Sequence, residues 1–134
     1  LAGRKNNLSS FPTISAGDMS QATLTSAVTD IQWLDDIGIQ FTWSGSPTGT
    51  FQIQVSADYN QDFMGNVDSS GHWVPLVITY WNGSAWVTGT TIPTSVGSPI
   101  YVDLALLSAP YIRCVYTKAS GSGTLTATIT GKMV

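Results

Sequence analysis

A chain of 134 residues is the usual size of one domain, long enough to enclose a core without disulfides or metals to staple it. With 10% charged residues, a net charge of -3 and only Arg4 and Lys5 adjacent among its cations, it lacks the basic stripe of a nucleic-acid binder. No apolar stretch reaches the roughly 18 to 20 residues needed to cross a bilayer, and no basic segment followed by an apolar block opens the sequence, so neither nucleic acid nor membrane is expected as a partner.

All eight acidic residues are Asp, and Glu, a strong helix former, is absent while Thr, Ser and Gly fill the polar positions. That balance predicts β-structure with little helix. Residues 1–20 show no sustained period and include Gly3, Asn6, Asn7, Pro12 and Gly17, so they are expected to form an extended N-terminal arm, with residues 21–134 as the folded domain. Leu8, Phe11 and Ile14 would anchor the arm on a neighbouring subunit, and Arg4 and Lys5 would meet an acidic patch there. Deleting residues 1–20 should then spare folding and abolish assembly.

From Ala22 to Ile31 the run is strand-compatible, with Leu24 and Val28 inward. Ile37, Ile39, Phe41 and Trp43 alternate with Gly38, Gln40 and Thr42, as in a half-buried strand. After the turn-forming Ser44 to Gly49, Phe51, Ile53 and Val55 alternate with Gln52, Gln54 and Ser56, so the two segments read as a hairpin. The chain is turn-rich from Asp58 to Gly71 and resumes as a strand from Trp73 to Trp81, where Pro75 requires an edge or a bulge. Asn82-Gly83 is a tight-turn signal leading to a return strand at Ala85 to Thr88. Ile100, Val102 and Leu104 alternate again, and the last strands are Tyr111 to Thr117 and Thr124 to Thr130. In the final strand Leu125, Ala127 and Ile129 take one face and four threonines the other. About eight short strands predict an all-β, antiparallel two-sheet β-sandwich or jelly roll.

Three segments resemble a class of small β-sandwich structural proteins of bacteriophage virions. They are Ile39-Gln-Phe-Thr-Trp-Ser-Gly-Ser-Pro-Thr-Gly-Thr-Phe-Gln-Ile-Gln-Val-Ser56, Val102-Asp-Leu104, and the closing Tyr111-Ile-Arg-Cys-Val-Tyr-Thr-Lys-Ala-Ser-Gly-Ser-Gly-Thr-Leu-Thr-Ala-Thr-Ile-Thr-Gly-Lys132. The resemblance covers under half the chain, and its motifs are structural. Between Ser56 and Trp73 this chain carries a longer Asp/Asn/Gly-rich excursion than the class pattern, and its N-terminal arm has no counterpart there. What the resemblance implies is a decoration, head-fibre or tail-associated protein, located in the virion after assembly in the host cytoplasm. Capsid or other virion proteins would be its partners, with oligomeric or lattice-bound copies. The rival reading is a receptor- or glycan-binding module of a tail or surface appendage.

Candidate chemistry is sparse. Catalysis at neutral pH usually needs a tunable acid or base, a partnered nucleophile or a metal. The single His72 sits in a Gly-His-Trp context and reads as a loop residue, and the lone Cys114 lies in an apolar run and reads as a buried core thiol. No enzyme activity and no cofactor are expected. Asp58, Asn60 and Asp62 have the opening spacing of a calcium loop, but Gly65 comes too late and Ser69 stands where a bidentate Glu is needed, so a solvated Asx-rich loop is preferred to a metal site. Of five tryptophans, Trp43 is expected in the core, while Trp73, Trp81 and Trp86 are candidates for an interface or a ligand platform.

Overall fold

The computed structural model describes residues 8–59, 70–104 and 107–133. Within them the strands are β1 (Leu8–Asp18), β2 (Thr23–Thr25), β3 (Thr29–Asp30), β4 (Leu34–Gly45), β5 (Thr48–Ser56), β6 (Val74–Pro75), β7 (Ile78–Trp81), β8 (Trp86–Gly89), β9 (Ile92–Pro93), β10 (Ile100–Leu104), β11 (Tyr111–Ser120) and β12 (Gly123–Met133). One 3-10 turn, Thr94–Val96, is the helical element among them. The all-β expectation holds, with more strands than the eight anticipated.

One sheet has the order β1-β12-β4-β10, and the other β2-β11-β5-β6, with β3 added to β11 and β9 to β5; all described pairings are antiparallel. Leaving aside the short β3, β9 and the separate β7-β8 ribbon, the eight framework strands taken in chain order run 1-8-3-6 and 2-7-4-5. That interleaving is a jelly roll, the eight-stranded double-sheet solution for antiparallel strands.

The topology corrects the expected hairpin. β4 and β5 do not pair: β4 lies between β12 and β10, and β5 pairs with β11, in the opposite sheet. The closing pair β11 and β12 divides in the same way, so each of the two turns carries the chain from one sheet to the other. The two corners lie side by side, with Gly123 opposite Gly45 and the Ser46 amide donating to Ser122 O at 3.1 Å. Gly45 (φ 85°) and Gly121 (φ 76°) take left-handed conformations at these bends, and a Cβ on Gly121 would stand 2.3 Å from Ser46 O.

The core lies between the sheets, where period-two alternation delivers the expected side chains. Ile39, Phe41, Val102, Leu125, Ala127 and Ile129 come from one sheet, and Phe51, Ile53, Ile112, Cys114 and Tyr116 from the other. Phe51 meets Phe41 at 4.7 Å and Trp43 at 5.0 Å between ring centroids, bridging the two layers. Each large side chain so buried contributes about 1.5 to 3 kcal/mol.

The expected arm is also corrected over its described part. Residues 8–18 are extended, but they form the edge strand of the domain's own sheet, paired to β12 from Leu8↔Lys132 to Asp18↔Thr124. Ile14 and Met19 are buried in the core. The irregular sequence is explained by two register shifts, between Pro12 and Ile14 and between Ile14 and Gly17, which break the alternation that marks a regular strand. Pro12 is tolerated because an edge strand needs only one laddered side.

Two other expected strands are interrupted. The Ala22–Ile31 run divides into β2 and β3, and between them Ser26 substitutes its hydroxyl for a ladder carbonyl, accepting the Cys114 amide at 2.8 Å. The Trp73–Trp81 run divides after Pro75: β6 edges the six-stranded sheet, whereas β7 turns away to pair with β8 through the predicted Asn82-Gly83 turn. Asn82 Oδ1 closes that turn by accepting the amides of Ser84 and Ala85.

Candidate binding surface

Outward positions of the sheets carry the features that could meet a partner. On the four-stranded sheet, Thr124, Thr126, Thr128 and Thr130 face out from β12, beside Gln40 and Thr42 of β4. Ser10 Oγ donates to Thr130 Oγ1 at 2.8 Å, so part of this hydroxyl face is used internally. β12 is paired on both sides, so only its side chains are open to a partner. Tyr101, half exposed, lies across this face where Gly38 leaves room; a Cβ there would overlap the phenol oxygen. Burial and the nearby Asp103 carboxylate push the Tyr101 phenol pKa up.

The six-stranded sheet carries a different outer face. Alternation that sends Ile112, Cys114 and Tyr116 inward sends Tyr111, Arg113 and Val115 outward, opposite Ser56, Gln54 and Gln52 of β5. Arg113 Nε donates to Gln54 Oε1 at 2.7 Å, and its guanidinium carbon sits 4.4 Å from the centroid of Trp73, which approaches from the segment before β6. Gln54 Nε2 donates in turn to Gln52 Oε1 at 2.6 Å. Tyr59 closes the group, with its ring 5.7 Å from Trp73 and edge-on to Tyr111 at 5.2 Å. Arg113 is half-buried, and that burial lowers its pKa, yet no carboxylate pairs with it among the described residues.

Beside this group Asp58 fastens the two ends of the Asp58 to Gly71 excursion. Its Oδ1 accepts the His72 amide at 2.7 Å and the Ser56 hydroxyl at 3.0 Å, while Oδ2 lies 2.6 Å from His72 Nδ1. The His72 amide first, then its imidazole and Ser56, hold the Asp58 carboxyl at about 2. Ser56 is 2% exposed and its Oγ also accepts the amides of Asp58 and Tyr59, so the hydroxyl acts as a turn anchor. Ser56, Asp58 and His72 thus meet as a loop clamp. A cleft of about 460 Å³ opens next to it, walled by Val55, Ala57, Val74, Ala109 and Pro110.

The remaining predicted residues scatter. Trp81 and Trp86 face each other across the β7-β8 ribbon, 48% and 70% exposed, with rings edge-to-face at 5.4 Å. Trp73 belongs to the Arg113 group instead. Leu8 is exposed, Phe11 is half-buried and stacks on Trp33 at 6.1 Å, and Ile14 is core, so Phe11 and Ile14 are engaged within the domain rather than held out as anchors. Arg4, Lys5, Asn60 and Asp62 lie outside the described residues, and Asp58 is committed to His72 and Ser56. Cys114 is buried, and its thiol is pushed up to about 12 by that burial. Sequence reasoning missed Arg113. Its outward position was legible from the alternation along β11, but its partners Trp73 and Gln54 are not sequence neighbours.

The sequence matches no protein-family model and no curated protein. Among solved structures the chain is similar to the SPBc2 prophage-derived protein YomS, with a TM-score of 0.59 over 92% of this chain and 93% of that one, at 10% identity. The two share a fold.

Proposed function

We propose that this chain is a non-enzymatic structural protein of a bacteriophage particle, an accessory or decoration protein that binds capsid proteins or neighbouring copies of itself. The observation that carries the reading is the shared fold over nearly the whole chain with a protein of prophage origin. Fold alone does not assign function. The surface adds to it: a charge-poor exterior offers little repulsion to close neighbours, and exposed Trp81 and Trp86 are of the residue type enriched at protein contacts. Weak contacts of this kind become strong when many copies bind a symmetric lattice. The protein would then reside in the virion after assembly in the host cytoplasm. Mass spectrometry and electron microscopy of purified particles test it; recovery of the protein only free in the lysate would overturn it. A receptor- or glycan-binding module of a tail or surface appendage is the second reading, favoured by the Trp73 and Arg113 group.

A further inference from the structure

We propose that the outer face of the six-stranded sheet binds a carboxylate-bearing saccharide, a uronic or sialic acid unit, with Arg113 receiving the carboxylate and the aromatic group of Tyr59, Trp73 and Tyr111 packing against the sugar ring. This deepens the second reading above and names its site and ligand class.

The argument begins with hydrogen-bond direction. Arginine can only donate, so Gln54 must turn its carbonyl oxygen to Arg113 Nε and its amide nitrogen to Gln52 Oε1. That in turn occupies the Gln52 carbonyl oxygen and leaves its amide nitrogen as the donor end of the chain. The exposed end of the network therefore consists of donors: the terminal guanidinium nitrogens and the Gln52 amide, for which no protein acceptor occurs among the described residues. A surface of donors fits a ligand rich in acceptors, and a guanidinium fork fits a carboxylate in particular.

The site is also held in place before any ligand arrives. Trp73 lies against the guanidinium plane and Gln54 holds Nε, while Trp73 Nε1 donates to Ser70 O at 3.0 Å. Little side-chain freedom remains to be lost on binding. Among the described residues no carboxylate pairs with this half-buried cation, so a ligand carboxylate would supply a counter-charge.

Two features favour a sugar over a peptide or a polyanion. Arg113 sits on β11, which is hydrogen-bonded on both sides by β5 and by β2 and β3, and the edge strand nearest the group, β6, is two residues long and carries Pro75, so an extended peptide has little strand edge to join. Recognition must come from side chains alone, which suits a rigid ring bearing few fixed polar groups. A polyanion would require several cations, whereas among the described residues this face offers one guanidinium, and the Asp58 carboxylate beside it is committed to His72 and Ser56.

The test is calorimetric titration of the full chain at low ionic strength with sialyllactose and with trigalacturonic acid, against the neutral lactose and maltotriose and an Asp-rich peptide. At least one acidic sugar should bind, and its neutral counterpart should bind at least about tenfold more weakly. Arg113→Met should abolish binding; Arg113→Lys, which keeps the charge without the fork, should weaken it by about tenfold. Met133→Ala, at the exposed end of β12 in the other sheet, should leave it unchanged, and melting curves will show that each variant is folded. Equal affinity for acidic and neutral sugars, binding that survives Arg113→Met in a folded protein, preference for the peptide, or no binding of either acidic sugar would each overturn the assignment. None of these outcomes bears on whether the chain is carried by a particle, because the titration uses purified protein.

Discussion

The phenol oxygen of Tyr116 ends beside Gly49 with no hydrogen-bond partner among the described residues, in a side chain that is fully buried. A Cβ on Gly49 would stand 2.7 Å from that oxygen and 2.3 Å from the carbonyl oxygen of Thr117, so β5 and β11 approach closely here because Gly49 has no side chain. An unsatisfied buried hydroxyl costs about 1 to 3 kcal/mol, so Tyr116→Phe is expected to stabilise the fold by about 1 kcal/mol. Gly49→Ala should destabilise it by about 1 to 3 kcal/mol, since the obstructing atom is backbone. Urea denaturation measures both, and a loss of stability in Tyr116→Phe would show that the hydroxyl has a partner in solution.

Removing residues 1–20 tests the corrected role of the N-terminal segment. The sequence alone suggests that this deletion spares folding. With β1 in place as an edge strand, the deletion strips the pairing from one side of β12 and removes Ile14 and Met19 from the core. At about 1.5 to 3 kcal/mol for each buried side chain, the loss from those two alone is roughly 3 to 6 kcal/mol. A truncated chain with an unchanged denaturation midpoint would contradict the pairing.

Cys114 should be chemically silent in the native state. Its thiol is 1% exposed and held near 12, so almost no thiolate exists at pH 8. A thiol reagent should label it only at the rate of unfolding. Ser26→Ala should speed that labelling by removing the hydroxyl that accepts the Cys114 amide, leaving a buried donor unsatisfied at a cost of about 1 to 3 kcal/mol. Rapid stoichiometric labelling of the folded wild type would refute this.

These residues show what a sequence can and cannot disclose about such a fold. Alternation identified Phe41, Phe51, Ile53, Val102 and Ile129 as inward, because period-two burial is a property of each strand alone. It could not separate a hairpin from a chain crossing between sheets, since Phe41 and Phe51 point into the interior in either case and Ser46-Pro47 suits both bends. β1 was hidden for the converse reason: its two register shifts erase the period while keeping the pairing. Trp73, Trp81 and Trp86 were visible as candidates, but the contact with Arg113 that distinguishes Trp73 depends on β5, β6 and β11 being neighbours.

The Asp58 clamp predicts an acid-sensitive loop. Hydrogen bonds from the His72 amide, the imidazole and Ser56 favour the ionised carboxylate, lowering its pKa from 3.8 to about 2. A depressed carboxylate pKa adds stability above the unfolded value, and that contribution disappears as pH falls from about 4 through about 2. Asp58→Asn lacks this titration, so its melting temperature should be less sensitive to pH across that window than the wild type's. Parallel slopes for the two proteins would show that the clamp does not form.

The exposed ribbon gives the sharpest separation between folding and association. Along β7, Ile78 and Tyr80 are buried while Thr79 and Trp81 face out, and Trp86 stands across from Trp81 on β8. Replacing both tryptophans by Ala removes one edge-to-face ring pair from the surface, which should alter folding stability by no more than about 1 kcal/mol. Ile78→Ala on the opposite side should cost about 2 to 5 kcal/mol. If the ribbon is the adhesive element of a particle protein, the double variant folds normally yet is lost from particles purified after infection, and mass spectrometry reads its copy number directly. Incorporation at the wild-type level would move the contact elsewhere, to the hydroxyl face of β12 or the exposed Tyr101 beside it.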